Sequence, residues 1–374
     1  MKIRLLLGRT CLFAAAFFPL HVAPPVLSHP QFSQALGQGN ALSVALAYHL
    51  GFAVAAATML MRGPHALAIV ERWRVAVLVS LLAGGATLLQ TPSAQIIGRM
   101  VLGASAVVLL ANFYRDLKRN GGYEQLPLIF GVSALGLESG GLAVGLVVER
   151  WGITPALGLS WALLVITGIV AVAALRQESN PLVMLEPVQF NFSGSVAFMA
   201  VAILAYGGFF LMLLSLSTLD KLPNGSTVSG LAIFSTAFAF SSGNLLPLEK
   251  LKAIGSPTRL VLLGTACSSI GSLVLWYGLN ISLAVFIVVG AATVAFGNGI
   301  TISRSFQRAS LVSTDGYSGS ILTMLGVMSF TVMLTLVSGW IGASAPMMQT
   351  IAFLMALGVI IFHGLSDSLS ATRV

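Results

Sequence analysis

The chain alternates between long apolar runs and short polar turns. Apolar runs fall at about 6–27, 40–61, 73–90, 94–114, 126–148 and 154–175, and a second set at about 194–217, 226–246, 258–277, 281–303, 320–343 and 347–366. Most have the length that a tilted helix needs to cross a hydrocarbon layer, roughly 20 residues. They are continuously apolar, which excludes barrel strands, whose outward and inward residues alternate. With no water inside a bilayer, each run must satisfy its own backbone hydrogen bonds, so each is predicted to be an α-helix. The predicted fold class is an all-α membrane protein with twelve transmembrane helices, and no segment is left for a soluble domain of any size.

Composition agrees with lipid as the solvent. Only 8% of the 374 residues are charged and 57% are hydrophobic, with a mean hydropathy of +0.95; a soluble domain carries about 25% charged residues. The net charge of +8 is explained by placement. If the N-terminus is cytoplasmic, that side receives Lys2, Arg4, Arg9, Arg62, Arg72, Arg74, Arg115, Lys118, Arg119, Arg176, Lys250, Lys252, Arg259, Arg304, Arg308 and Arg373. The opposite side receives Arg150 and Lys221, and Arg99 falls inside span four. This is the positive-inside bias, and a nucleic-acid partner is not needed to account for the cations. The N-terminal "MKIRLLLGRTCLFAAAFFPL" imitates a secretory signal, but no small-x-small cleavage site follows, so it reads as a retained first span. Both termini are expected to be cytoplasmic, in a bacterial inner membrane.

The stretch "RQESNPLVMLEPVQFNFSG" bisects the chain. It divides a first six-span half, 1–176, from a second, 194–374, by a linker at 177–193. The halves echo each other: Gly122-Tyr123 matches Gly316-Tyr317, and Trp151 matches Trp340. Such duplication is the mark of secondary transporters whose site lies between the repeats.

Chemistry is sparse inside the spans. Glu138 is the only charged residue from Leu126 to Val148, and glycines stand around it at 131, 136, 140, 141 and 145. An ionised carboxylate at that depth must pair, face water or take a proton. Arg99 is the expected partner: the two lie roughly 7 Å and 15 Å inside the same membrane face, an axial offset of about 7 Å. Three readings stay open for Glu138: a proton switch with Arg99, a fixed structural bridge with it, or direct binding of a cationic substrate group. His49, about nine residues into span two, is a second titratable candidate, or a histidine satisfied by a neighbouring carbonyl. His21, beside Pro24-Pro25, is expected to snorkel to water. Tyr48, Tyr206, Phe209, Phe210, Phe234, Phe238 and Asn298 are candidate cavity residues, with ordinary packing, lipid contact or helix–helix bonding as the alternatives. Gly136-x-x-x-Gly140 and Gly141-x-x-x-Gly145 are expected to admit close helix approach. Cys11 and Cys267 read as small apolar residues. No phosphate loop, paired-His metal spacing or serine nucleophile elbow occurs, so no enzyme activity, metal or cofactor is expected.

Three stretches carry a resemblance to a known family. Span two holds Ala47-Tyr48 followed by small and apolar residues; span four reads "IIGRMVLGASAVV", with Arg99, Gly103 and Ala104; span five reads "GLESGG", followed by Gly145 and Trp151-Gly152. Together they resemble the major facilitator superfamily, in particular its drug-efflux antiporters. The "GLESGG" stretch is similar to the antiporter signature Gly-Pro-x-x-Gly-Gly, with Leu137 in place of its proline. The loop after span two, with Glu71, Arg72 and Arg74, stands where the family carries an Asp-Arg-x-Gly-Arg gating motif, but lacks its glycines and spacing. The resemblance implies two pseudo-symmetric halves around a central site, gating roles for Gly103, the span-five glycines and the Glu71–Arg74 loop, and proton-coupled export of a small amphipathic drug, metabolite or siderophore by a monomer. Two alternatives are an importer of a small organic acid, held by Arg99 or Arg304, and a transport-inactive scaffold or sensor. The topology has a direct check. With Cys11 and Cys267 replaced, a cysteine at Asn224 should react with an impermeant maleimide added from outside, whereas one in the Lys118–Gly122 turn should react only after permeabilisation; labelling of both from one face would overturn the map.

Overall fold

A computed structural model describes residues 2–27, 29, 32, 34, 36–120, 122–175, 189–192, 195–216, 225–246, 256–315, 317–342 and 344–371. Its twelve main helices are α1 (Lys2–His21), α2 (Gln38–Arg62), α3 (Trp73–Ala86), α4 (Pro92–Arg119), α5 (Leu126–Trp151), α6 (Ile153–Ala174), α7 (Val196–Leu216), α8 (Gly225–Leu245), α9 (Pro257–Asn280), α10 (Ala284–Ala309), α11 (Ser318–Ile341) and α12 (Ala345–Ala371). Eleven stretches built on these helices are long and apolar enough to cross a membrane; α3, with 14 residues, is the short one. It is preceded by a 3₁₀ turn at Gly63–Ala66 and a helix at Leu67–Glu71, and the helical run is interrupted at Arg72, just before α3 begins. Lys221, Asn224, Lys250, Lys252, Arg176, Arg373, Gly316 and most of the 177–193 linker lie outside the described residues.

Local chemistry sets the helix ends. Thr91 caps α4 and Ser256 caps α9, each followed by proline at the first helical position, where the missing N–H would have no helical partner anyway. Pro24 and Pro25 end α1 early: the chain turns at Val22 and restarts as the wholly buried helix Ala23–Leu27. Gly152, at φ 86°, joins α5 to α6 in a single residue, a left-handed conformation that costs a side chain little only when it is absent.

The first six helices pack around α1, which lies against α4, α5 and α6; the last six pack around α10 and α7. Two seams join the sets, α5 with α8 and α2 with α11. Adding six to each number exchanges the seams, so they are related by a pseudo-twofold. The same exchange relates two glycine crossings. A Cβ on Gly103 of α4 would lie 2.8 Å from the Phe52 nitrogen, and one on Gly51 of α2 would lie 2.7 Å from the Met100 Cα. In the second set, a Cβ on Gly243 of α8 would lie 3.0 Å from the Ile300 nitrogen, and one on Gly299 of α10 would lie 3.1 Å from the Gly243 Cα. Trp151 and Trp340, both exposed, end the equivalent helices α5 and α11. The α9–α10 pair adds glycines seven residues apart, Gly264, Gly271 and Gly278 against Gly290 and Gly297, the spacing of a left-handed helix seam.

The outward faces carry Val54, Leu82, Ile97, Ile169, Leu336 and Phe362, all exposed; apolar surface this continuous is stable only in lipid. Gly136 also faces outward and a Cβ there would meet nothing within 4 Å. The expected close approach at Gly136 is therefore not found, because α5 turns its Leu137, Glu138 and Gly141 side inward. Close contact occurs instead at Gly140, against the Phe18 ring, and at Gly141, against the His21 carbonyl and Ile233. Gly145 is buried. These positions predict opposite outcomes. Gly103→Leu should lose about 3 kcal/mol or more of stability, the upper range for overpacking, and Gly136→Leu should be neutral. Thermal unfolding of the detergent-solubilised variants reads both, and equal melting temperatures would contradict the crossing geometry.

Candidate functional site

The centre of the molecule, where the two sets of six meet, is built from aromatic rings. Phe13 and Phe17 of α1 lie one helical turn apart with centroids 4.8 Å apart, and Phe13 stacks on Phe130 of α5 at 4.6 Å. From the second set, Tyr206 and Phe210 of α7 stack at 4.5 Å. The sets touch through Phe17 with Phe210 (6.1 Å), Phe17 with Tyr206 (6.2 Å) and Phe130 with Phe306 (6.4 Å). Phe209 joins through Tyr206 and Phe240. Tyr48 donates a hydrogen bond to the Ala16 carbonyl, which ties α2 to α1. His49, 1% exposed, turns its ring edge to Phe210 at 5.8 Å. Its ring lies beside the Ala45 backbone of its own helix, and it faces a small apolar cavity with Leu20, Ala23, Pro24 and Leu213.

Glu138 lies at the edge of this cluster, 1% exposed, with its Oε1 2.7 Å from the Nδ1 of His21, itself 4% exposed. The contact is an ion pair by distance; the ring N–H is not aligned for a hydrogen bond, and Oε2 has no partner. Tyr206 stands within electrostatic reach of the carboxylate. His21 is the last residue of α1, and its backbone carbonyl meets Gly141 beside Ile233 of α8. The pair therefore occupies the junction of α1, α5 and α8, on the seam between the halves.

This arrangement corrects several expectations. His21 does not snorkel to water, because the break at Val22 and the helix Ala23–Leu27 cover it. Arg99 does not pair with Glu138. The axial offset estimated from sequence took α4 and α5 as neighbours, but α1 lies against both and its histidine takes the carboxylate. Phe234 and Phe238 pair edge-on at 5.0 Å on the outer face of α8, with Phe238 55% exposed. The inner face of that helix carries Ile233, Ala237 and Phe240. Asn298 is buried between α10 and α9, 3.5 Å from the Ser268 hydroxyl, in the helix–helix contact rather than at the centre. Arg304, also buried, donates to the Ile300 carbonyl of its own helix.

The basic end of the molecule is closed by polar contacts. Lys118 of α4 donates to the carbonyls of Ser313 and Thr314, which precede α11, and Tyr114 stacks on Phe306 at 6.3 Å. Glu71 pairs with Arg115 at 3.0 Å, Arg74 lies over the Trp73 ring at 5.6 Å, and Arg72 is exposed where the helical run is interrupted. Arg9, 1% exposed, reaches Asp116 and Gln125. Burial, with Asp315 alongside and Arg115 opposing, pushes the Tyr317 phenol up to about 12, so it stays protonated at neutral pH. Phe17, Phe130, Phe240, Phe306, His21 and Lys118 were not singled out by sequence as parts of a centre or a latch. The i, i+4 spacing of Phe13 and Phe17 and the histidine just before "VAPP" were the available signals.

No protein-family model matches the chain, and no curated protein matches it in sequence. Its fold, however, is shared with solved structures. An auto-inhibited peptide transporter of the POT family superposes with a TM-score of 0.63 at 12% identity, covering 98% of this chain and 96% of that one. The human organic anion transporter MFSD10 (TETRAN) gives 0.60 at 12% identity, covering 96% and 98%. The major facilitator superfamily transporter FucP, in its outward conformation, gives 0.58 at 14% identity, covering 94% and 98%. At such identities the likeness speaks for architecture, and the architecture agrees with the seams and glycine crossings above: the chain has the fold of the major facilitator superfamily, twelve helices in two pseudo-symmetric halves with a buried His–Glu pair on the seam between them.

Proposed function

We propose that this protein is a secondary active transporter that exports a small amphipathic compound, preferentially an aromatic cation, in exchange for protons. The observation that carries the proposal is the His21–Glu138 pair, buried at the junction of the halves with one carboxylate oxygen unpartnered. Holding one proton between them, histidine and glutamate are neutral overall, whether written as an ion pair or as two neutral groups. Without it the pair is negative, and a negative charge in a low-dielectric interior demands compensation. A cationic substrate supplies that compensation, so proton and substrate compete for one site. The rings of Phe17, Tyr206 and Phe210 in the adjoining aromatic centre suit an aromatic cation, through stacking and the negative faces of their π-systems.

Exchange follows if the halves, 1–176 and 194–374, rock about the seams so that the pair faces each side in turn. The Lys118 contacts with the α10–α11 loop are then a latch that opens with the basic end. Export as the direction rests on the similarity of the α5 stretch "GLESGG" to the antiporter signature, and a cytoplasmic basic end on the bias of lysine and arginine.

The test uses proteoliposomes loaded with a pH-sensitive dye and ethidium as the probe cation. Wild-type protein should couple ethidium movement to an imposed pH gradient. Glu138→Gln should reduce that flux by about 100-fold, the scale on which a single proton-transfer group acts, while the protein stays folded. His21→Gln should retain a proton-coupled flux with a displaced pH profile, because Glu138 then carries the proton alone. A Glu138→Gln protein whose flux follows the wild-type pH profile would remove the pair from the coupling mechanism.

A further inference from the structure

Arg99 is a buried cation that the central site does not use. It is 5% exposed, forms no ion pair among the described residues, and its Nε has no acceptor. It lies seven residues into α4, about 10 Å from the helix start. An uncompensated guanidinium at that depth is unfavourable, and the lining around it holds no acidic residue. Arg99 lines a narrow, partly open cleft between α1, the helix Ala23–Leu27, α3, α4 and α6, whose other lining is apolar side chains together with Thr87, Ser160 and Trp161. The hydroxyls of Thr87 and Ser160 donate to carbonyls of Gly84 and Ala156, and the Trp161 indole donates to that of Leu81. Arg99 is the only charged residue in the lining.

The cleft is also placed for access from lipid. Trp161, which lines it, is 39% exposed. The α3–α4 and α5–α6 turns bound the cleft at one end, where Gln90 donates to Thr154 at 2.7 Å, so the cavity sits in the leaflet on that side and not between the halves. A long arginine side chain can rise toward a headgroup from this depth.

We propose that this cleft binds an anionic amphiphile, with its phosphate or carboxylate headgroup on the Arg99 guanidinium and its alkyl chain along Leu157, Leu164 and Trp161. The lining contains neither His21 nor Glu138, and the proposal does not depend on how that pair works. A headgroup bearing a negative charge supplies the counter-anion that the protein lacks, and the alkyl chain covers walls that water would otherwise meet. Two sources share this chemistry, a membrane phospholipid and a free alkyl phosphate or carboxylate.

The full-length protein, purified in a neutral detergent, is titrated with dioleoylphosphatidylglycerol, with dioleoylphosphatidylcholine and with dodecyl phosphate, and followed by thermal unfolding and by native mass spectrometry. Wild-type protein should gain stability saturably with an anionic probe and not with phosphatidylcholine. A response to phosphatidylglycerol alone assigns a membrane lipid; a response to dodecyl phosphate as well assigns the broader class of free amphiphiles. Arg99→Gln should abolish the shift and lower retained anionic lipid by about tenfold. Leu157→Trp, which fills the cleft and keeps the guanidinium, should do the same, and it decides the matter if Arg99→Gln does not fold. Equal stabilisation by phosphatidylcholine, no stabilisation by either anionic probe, or an undiminished response in the folded variants would overturn the assignment.

Discussion

The absence of water from the membrane interior governs this structure. A polar group there has no solvent to fall back on, so it must find its partner within the protein or in something the protein binds. The backbone meets that demand by folding every apolar run into a helix. Hydroxyls meet it by bonding back along their own helix, as Thr265 does to Val261 and Thr335 to Thr331. Charged groups within the spans meet it one by one: Arg304 donates to the Ile300 carbonyl of its own helix, Arg9 pairs with Asp116, Glu138 meets His21 on the seam, and Arg99 lines a cleft.

The same constraint shapes the packing. Between helices in lipid there is no hydrophobic drive to associate, so close van der Waals contact must do the holding. Glycines at the α2–α4 and α8–α10 crossings bring backbones together where any side chain would collide with a neighbouring main chain. These two crossings sit in equivalent places in the two halves. The seam between the halves is of another kind. It is joined by rings, by the Ser241 hydroxyl on the Gly131 carbonyl at 2.6 Å, and by the lysine latch at the basic end. Contacts of this sort join the halves without interlocking their backbones.

Helix number and approximate span limits were legible in the sequence because hydrophobic run length maps directly onto membrane thickness. The short α3 is the exception: it starts at Trp73 as the run predicts but ends at Ala86, ahead of the Thr91 cap of α4. The importance of Glu138 was legible too, as one carboxylate in a long uncharged stretch. Its partner was not. Adjacent spans in sequence are natural guesses for adjacent helices in space, but α1 intervenes between α4 and α5, so His21 and not Arg99 meets the acid.

By itself, the sequence determined the solvent, the number of crossings, the duplication and the presence of buried charge, because each depends only on composition and spacing along one dimension. Tertiary structure alone decided which faces turn inward. Phe240 joins the central rings while Phe238, two residues away, faces outward, and Gly141 is enclosed while Gly136 is open. The reason is rotational: in lipid the apolar residues of a helix are stable on either face, so hydrophobic pattern carries little information about phase, and only packing against the neighbouring helices sets it.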